Sequence, residues 1–417
     1  MRKVLAAFAL LVAALSFGVA HAQADTITVG VNDDAGKYED GVGAFWTTMD
    51  TVGLESNTMT VLWDETRPTT IIDQSFIQHA LPAATSAGVK VVFDVYPMHS
   101  RALTSDPTAA SQFAAFVQKL AQTFPQVKEY VVMNECNQPR FVNPQFDANK
   151  QNQSAAVCGN ALALAYDALK AVDSSIFVWG VGLSPRGNDN ADATDNVSTS
   201  PVKFLGYLGQ WYRGSGRTKP IMDGFDFHPY AIPQTLPFET GYADPNSASV
   251  TNLPRIYQAF YDAFKGTAQP TIGPGGLEIS LNEVGIQTTS DGHSGYTGGE
   301  NTPVGDEAFQ SSWYTKMLAY VACDPNVAVV NFFHLVDESD LATWQSGLFY
   351  QGYGAKASAA AVEQQLAGGL RCAGAMRVWT PGQTGNAAGK VSSTKGKPVT
   401  KPKAKPKVKP KAKPKKK

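Results

Sequence analysis

Short apolar runs alternate along the chain with longer segments in which apolar residues recur at helical spacing. The runs are rich in branched and aromatic side chains, and they predict eight β-strands. The predicted strands lie at 26–32, 60–63, 89–95, 130–133, 176–181, 223–227, 277–281 and 327–333. Most of these strands are apolar throughout, which is typical of a parallel sheet that is buried on both faces.

Helical segments separate the predicted strands. Amphipathic or alanine-rich patterns predict helices at 109–123, 155–172, 253–264, 307–321 and 355–366, and Gly88 would end another helix. Repeated alternation of strand and helix indicates an α/β fold, and eight strands indicate a single (β/α)8 TIM barrel. An open, doubly wound sheet is the alternative, although no glycine-rich phosphate-binding fingerprint follows the first strand.

Three long segments rich in Asn, Asp, Gly, Ser, Thr and Pro follow predicted strands. They lie at 184–200, 229–251 and 284–305. In a parallel barrel, the loops that follow strands gather at the catalytic face. We therefore expect these long βα loops to form the walls of a cleft.

The two ends of the chain differ in composition from its middle. Residues 1–24 combine Arg2 and Lys3 with an apolar run and small-residue cleavage sites, which predicts a secretory signal peptide. An uncleaved anchor helix is the alternative, and no later stretch looks apolar enough to cross a membrane. Residues 381–417 predict a disordered Lys/Pro-rich tail. Residues 25–380 remain as one folded domain.

The tail changes the charge balance of the protein. Between Lys390 and Lys417 there are 13 lysines, five prolines and no acid, so the net charge of −1 becomes −1 − 13 = −14 for residues 1–389. Such an arm should bind polyanions by counterion release, and an anionic cell-envelope polymer is the expected partner. It has no aromatic residue to stack on bases, so we expect no specific nucleic acid. The prediction is a secreted, extracellular protein that associates with the cell wall.

Four cysteines, Cys136, Cys158, Cys323 and Cys372, predict two disulfides in an exported protein. Three pairings are possible, and we predict the sequential pairing because it closes the shortest loops. The spacing of the cysteines does not suit a zinc site. We expect neither a metal ion nor another cofactor.

The fourth and seventh predicted strands both end in the dipeptide Asn-Glu. Asn134-Glu135 ends one strand, and Asn282-Glu283 ends the other. Because the carboxyl ends of the strands meet at the catalytic face of a barrel, Glu135 and Glu283 should lie close together. Two carboxylates whose environments separate their pKa values are the groups that glycosidic bond cleavage requires.

Other strand ends supply side chains that suit a sugar ligand. His228 and Tyr230 are two residues apart and should leave the sixth strand on the same side. Arg67, after the second strand, would keep a nearby carboxylate ionised. His334 follows the eighth strand, and Trp344 lies in a polar loop, where an indole face suits stacking on a sugar ring.

Together these motifs resemble the clan A retaining glycoside hydrolases, in particular the cellulase-like family 5 and the xylosidase-like family 39. The resemblance spans roughly residues 26–370, and its specific part is the motifs just described. It implies that Glu135 is the acid/base, that Glu283 is the nucleophile and that Asn134 contacts the sugar 2-hydroxyl. His228 and Tyr230 would line the same subsite.

Two positions depart from the family pattern. Cys136 stands where the family has a proline after Asn-Glu, and the eighth strand ends in Phe332-Phe333-His334, where many members have a tryptophan. The expected activity is two-step hydrolysis of O-glycosidic bonds in a poly- or oligosaccharide substrate. Two alternatives are a non-catalytic carbohydrate-binding barrel that its tail tethers to an anionic polymer, and a scaffold protein whose working part is the tail.

Overall fold

The computed structural model describes residues 27–39, 41–290 and 292–384. Eight parallel strands form a closed barrel, in which each strand pairs with the next and the eighth pairs with the first. The strands are β1 (Thr28–Asn32), β2 (Ser56–Trp63), β3 (Lys90–Pro97), β4 (Glu129–Val132), β5 (Phe177–Leu183), β6 (Gly224–Phe227), β7 (Ile279–Val284) and β8 (Val327–Phe332). The predicted signal peptide and nearly all of the predicted tail lie outside the described residues.

Helices connect successive strands and surround the barrel. They are α1 (Ala44–Val52), α2 (Gln74–Ser86), α3 (Ala102–Ser105), α4 (Ala109–Thr123), α5 (Ser154–Val172), α6 (Pro201–Gly214), α7 (Leu253–Phe264), α8 (Glu307–Val321) and α9 (Ala357–Ala367). Short 3-10 turns lie at Ala35–Lys37 and Val250–Asn252. The predicted (β/α)8 barrel with long βα loops is therefore confirmed.

The structure differs from the sequence prediction mainly at element boundaries. β2 begins at Ser56 rather than at residue 60, because Ser56 and Thr58 are polar residues that interrupt the apolar run. The pattern did not identify α1 or α6. In α6, glycines weaken the helical signal, yet Gly209 is needed for packing because a Cβ atom there would lie 2.5 Å from the carbonyl oxygen of Ala263 on α7.

The buried apolar side chains form two clusters, one outside the barrel sheet and one inside it. A large core fills the space between strands and helices. A small cluster of Val92, Val131, Trp179 and Val329 comes from four different strands and so meets across the barrel interior. The rest of the interior is polar: Thr58 and Asn331 both donate to the side-chain oxygen of Asn282, over 2.7 and 2.9 Å.

The structure pairs Cys136 with Cys158 and Cys323 with Cys372, which is the predicted sequential pairing. Among the described residues, α5 is the one helix long and apolar enough to cross a bilayer. This differs from the expectation that no stretch after the signal peptide is apolar enough to cross a membrane. Half of the apolar window of α5 is buried inside the barrel structure, as in a core helix.

Candidate active site

Glu135 and Glu283 come together at the carboxyl-terminal end of the barrel strands. Glu135 follows β4, and Glu283 lies near the end of β7. One carboxylate oxygen of each, together with one ring nitrogen of His228, lies within 4.8 Å of the others. The fold therefore brings together the two carboxylates that the strand-end pattern singled out, and it places an imidazole against both.

His228 is fully buried and has a carboxylate on each side. Its Nδ1 lies 3.3 Å from Oε1 of Glu135 and 3.4 Å from Oε2 of Glu283, and its Nε2 lies 3.3 Å from Oδ2 of Asp226. Burial by itself would lower the pKa of His228, but the charge of Glu283 and the contacts with Asp226 and Glu135 raise it well above its usual value. The surrounding carboxylates therefore favour the protonated form of His228.

Each oxygen of the Glu283 carboxylate has a hydrogen-bond donor. The hydroxyl of Tyr230 donates to Oε2 over 2.7 Å, and the amide of Asn32 donates to Oε1 over 3.4 Å. Burial raises the pKa of Glu283, and the charge of Glu135 adds to that effect, whereas His228 and the Tyr230 hydrogen bond oppose it. The net direction is upward, so Glu283 ionises at a higher pH than a solvated glutamate.

The backbone around Glu135 is held in an irregular conformation. Met133 and Glu135 both have positive φ, at 73° and 35°, which is uncommon for residues other than glycine. The amide of Glu135 donates to the carbonyl of Gly182 over 2.7 Å, and the Cys136–Cys158 disulfide attaches the next residue to α5. Strand β5 and helix α5 together therefore fix the position of the Glu135 carboxylate.

Gly182, near the end of β5, has no side chain and so leaves room for the side chains packed against it. Its φ is +47°, and a Cβ atom there would lie 3.1 Å from Oδ1 of Asn134, 3.2 Å from Nε2 of His228 and 3.3 Å from Oδ2 of Asp226. Sequence reasoning missed this residue. The available signal was a glycine within an apolar strand, which indicates a close approach of another group.

Sequence reasoning also missed two buried acids beneath the carboxylate pair. Asp226 on β6 and Asp94 on β3 are fully buried, and one oxygen of each has no hydrogen-bond partner among the described residues. Burial raises the pKa of Asp94 well above its usual value, and the charges of Glu283 and Asp226 act in the same direction. Asp94 could have been identified because it is a charged residue within an apolar strand. Asp226 could have been identified because it lies two residues before His228 and so points to the same side of the strand.

A cleft of about 970 Å³ opens above these groups. Its walls are rich in aromatic side chains. They comprise Tyr38, Tyr96, Phe141, Tyr230, Phe333, Trp344 and Tyr353. Of the three predicted long loops, those at 184–200 and 229–251 contribute to the cleft lining. The described residues of the third, 284–305, do not, and the loop after β8 lines the cleft instead.

The remaining predicted residues differ in where they lie. Asn134, His334 and Trp344 line the cleft, and Oδ1 of Asn134 is buried without a hydrogen-bond partner in the described chain. Arg67 lies outside the cleft lining, where its guanidinium pairs with Asp64 at 2.8 Å. Hydrogen bonds from Thr66, with a smaller contribution from Arg67, lower the pKa of Asp64 to about 2. The carboxylate that Arg67 contacts is therefore one outside the cleft lining.

Among the residues that the structure describes, two groups of side chains have spacings that would allow them to hold a metal ion. Glu135, His228 and Glu283 form one, and Asp64, Glu65 and His99 form an exposed second group. In the first group, the ring nitrogen of His228 already lies against both carboxylates, and Tyr230 donates to Glu283. The prediction that the protein uses no metal stays a prediction, which chelation can test.

No protein-family model and no curated protein matches this sequence. Solved structures do match. A monomeric beta-xylosidase from Caulobacter crescentus CB15 aligns at 15% identity and a TM-score of 0.51, covering 81% of this chain and 67% of its own. A glucosidase from Croceicoccus marinus aligns at 12% identity and a TM-score of 0.51, covering 82% and 68%.

A beta-glucuronidase from Bifidobacterium dentium aligns at 12% identity and a TM-score of 0.50, covering 82% of this chain and 47% of its own. This chain therefore spans about half to two thirds of the length of these solved structures. At such low identity the likeness establishes the fold. The chain is a (β/α)8 barrel with a paired-carboxylate centre at the end of its strands.

Proposed function

We propose that this protein is a retaining glycoside hydrolase. The observation that carries the proposal is the approach of one oxygen of Glu135 to within 4.8 Å of one oxygen of Glu283. Retaining enzymes separate their two carboxyl groups by about 5–5.5 Å, whereas inverting enzymes leave about 6.5–9.5 Å for a water molecule. The matching solved structures bear the names of glycosidases, which agrees with this class.

In the proposed first step, Glu135 donates a proton to the glycosidic oxygen while Oε of Glu283 attacks the anomeric carbon. The bond between that carbon and the leaving oxygen breaks, and a glycosyl ester of Glu283 forms. In the second step, Glu135 takes a proton from water while the water oxygen attacks the anomeric carbon. The bond between that carbon and the Glu283 oxygen breaks, which releases the sugar and the Glu283 carboxylate. Each group ends in its starting protonation state.

His228 and Tyr230 make the Glu283 carboxylate available as a nucleophile. Ionised Glu283 is buried, so it needs compensating charge and hydrogen bonds. The imidazolium of His228 and the hydroxyl of Tyr230 supply both. Asn134 has an unused buried acceptor on the cleft wall, which suits a hydrogen bond from a sugar hydroxyl.

Sugar release from neutral β-linked polysaccharides and aryl glycosides tests the proposal. Wild type is compared with Glu135→Gln and Glu283→Gln, and Glu363→Gln on the exposed surface of α9 is the matched control. We expect activity in wild type and in the control, and a loss of several orders of magnitude in both site variants. Activity that survives in Glu283→Gln would contradict the assignment of the nucleophile.

Two further readouts separate the proposed mechanism from its rivals. Proton NMR of the first product should show retention of the anomeric configuration, because two displacements restore it. Treatment with EDTA should leave the rate unchanged, since no step uses a metal. An EDTA-sensitive rate would instead favour a metal ion at Glu135, His228 and Glu283.

A further inference from the structure

Exposed apolar side chains concentrate on one edge of the cleft. Among the described residues, Tyr38 is 52% exposed and Phe76 is 45% exposed, and Val42 and Ile72 in the same two segments are also exposed. Large apolar residues are seldom exposed in groups unless the group binds something. Tyr38 and Val42 lie between β1 and α1, Ile72 lies just before α2, and Phe76 lies in the first turn of α2. Of these four, Tyr38 lines the cleft.

Tyr38 and Phe76 form one aromatic surface. Their ring centroids are 5.1 Å apart, with the rings at 75° to each other. The hydroxyl of Tyr38 lies 3.5 Å from a carboxylate oxygen of Asp73, which holds the tyrosine against α2. Because Tyr38 also lines the cleft, this aromatic surface is continuous with the candidate active site.

The charge next to this surface is negative. The ammonium of Lys37 is buried, and it pairs with Asp34 at 3.3 Å and with Asp73 at 3.0 Å. One cation is therefore shared between two carboxylates, and the cluster carries a net charge of −1. In the loop after the adjacent strand β8, Glu338 and Asp340 also line the cleft, and the lining further includes Arg140. This field would repel a uronic acid and would tolerate an uncharged sugar.

We propose that Tyr38 and Phe76 form an outer subsite that binds an uncharged pyranose of an extended polysaccharide. Aromatic faces bind sugar rings through their apolar C–H surfaces. A subsite away from the carboxylate pair contacts a sugar unit that is not cleaved, so it favours long chains over short glycosides. The proposal rests on the proposed function and adds to it the substrate class, a neutral glycan chain.

The test compares long with short substrates of the full-length protein. The long probes are hydroxyethyl-cellulose, arabinoxylan and galactomannan, and the short probes are the corresponding 4-nitrophenyl β-glycosides. Tyr38→Ala and Phe76→Ala should each lower the polymer-to-aryl-glycoside ratio of kcat/KM by about five- to tenfold, mainly through KM for the polymer. Tyr38→Phe keeps the ring and should restore the ratio.

Val378→Ala is the matched control. Val378 is 52% exposed, like Tyr38, but it does not line the cleft. It should leave the ratio unchanged. The proposal is overturned if Phe76→Ala and Tyr38→Ala leave the ratio for every cleaved polymer unchanged, or if Val378→Ala lowers it as much as they do.

A binding experiment distinguishes failure of this proposal from failure of the proposed function. Affinity electrophoresis in gels that contain each of the three polymers needs no turnover. If nothing is hydrolysed but one polymer retards wild type and not Phe76→Ala, the catalytic proposal fails and the outer subsite stands. If no polymer retards wild type and none is hydrolysed, both fail.

Discussion

His228 contacts both candidate catalytic carboxylates, and it touches a third carboxylate, Asp226. An imidazolium in that position offsets charge that would otherwise be buried without compensation. The candidate site is therefore a single electrostatic unit. Removing any donor from it should move the titration of the others.

The first residue-scale prediction concerns Tyr230→Phe. The hydroxyl of Tyr230 lowers the pKa of Glu283, and Glu283 must be ionised to attack. Without that hydroxyl the pKa rises, so the acidic limb of the kcat/KM profile should move to higher pH. The measurement is a pH–rate profile. Tyr212→Phe, whose hydroxyl donates to the Lys219 carbonyl outside the cleft, is the control. An acidic limb at the same pH in Tyr230→Phe and in wild type would contradict the proposed effect of Tyr230 on the pKa of Glu283.

The second prediction concerns the buried carboxyl of Asp94. Its pKa is raised in the folded protein, so the folded chain keeps this proton to a higher pH than the unfolded chain does. Stability therefore falls as pH rises above the usual pKa of an aspartate. Asp94→Asn removes this effect, so its Tm relative to wild type should increase between about pH 4 and about pH 7.

Asp106→Asn is the control of opposite sign. Hydrogen bonds from the amide and hydroxyl of Thr108 lower the pKa of Asp106, so that carboxylate stabilises the fold above the pKa it has when unfolded. Its replacement should lower Tm at neutral pH and have less effect in acid. If Asp94→Asn followed that pattern, the raised pKa of Asp94 would be wrong.

At the scale of elements, the end of β5 and the start of α5 position Glu135, the proposed acid/base. Gly182 accepts the hydrogen bond from Glu135, and Cys158 of α5 holds Cys136. The position of α5 is thus coupled to Glu135 through the covalent link between Cys158 and Cys136. Cys136 forms this cross-link at the position where the glycoside hydrolases that the Asn-Glu motif resembles carry a proline.

Removing that link should affect both stability and rate. Cys136→Ser with Cys158→Ser opens a loop of sequence separation 22 and should destabilise the fold by about 3 kcal/mol. It should also lower kcat, because Glu135 loses a constraint. Denaturant unfolding and steady-state kinetics measure the two effects.

The second disulfide provides the matched control. Cys323 follows α8 and precedes β8, so the Cys323–Cys372 link lies at the opposite end of the barrel from the cleft. Its removal should destabilise the fold and leave kcat unchanged. Equal losses of kcat in the two double variants would mean that the Cys136–Cys158 link has no specific effect on the site.

A second element-scale prediction concerns Gly182→Ala. The added methyl group would meet atoms of Asn134, His228 and Asp226, and its backbone would be strained at positive φ. We expect a loss of activity much larger than the loss of stability. Gly206→Ala on α6 is the control, because a Cβ atom there meets nothing within 4 Å. Full activity in Gly182→Ala would mean that this glycine is not needed for the site.

At the scale of the whole molecule, charge is divided between two parts. Subtracting the 13 tail lysines and then Arg2 and Lys3 leaves −14 − 2 = −16 for residues 25–389. We propose that the basic tail holds the exported, acidic body on an anionic envelope polymer. Full-length protein should bind phosphocellulose and elute over a narrow range of salt, because counterion release drives such binding.

A chain truncated after Gly389 should pass through phosphocellulose and bind an anion exchanger instead. A full-length variant with the tail lysines replaced by glutamine is the control for chain length, and it should behave like the truncated chain. Salt-independent retention of the full-length protein, or retention of the truncated chain, would contradict the tether.

The eight strands were predictable because branched and aromatic residues cluster wherever both faces of a sheet are buried. The sequence pattern did not predict elements in which such apolar clustering is missing. Ser56 and Thr58 face a polar interior, so the start of β2 looked like loop, and the glycines of α6 hid a helix that packs through them. Glu135, Glu283, His228 and Tyr230 were found because they end strands, where the barrel gathers side chains.

The sequence by itself determined the barrel and the strand-end carboxylates, since both follow from local periodicity. It favoured the sequential disulfide pairing through its short loops, and the structure selected that pairing from the three possible ones. Only the tertiary structure decided which groups surround those carboxylates. It brought Asp94, Asp226, Gly182 and Asn32 to the site and left Arg67 outside. These contacts join residues on different strands, and closure of the barrel, which no local pattern encodes, sets their distances.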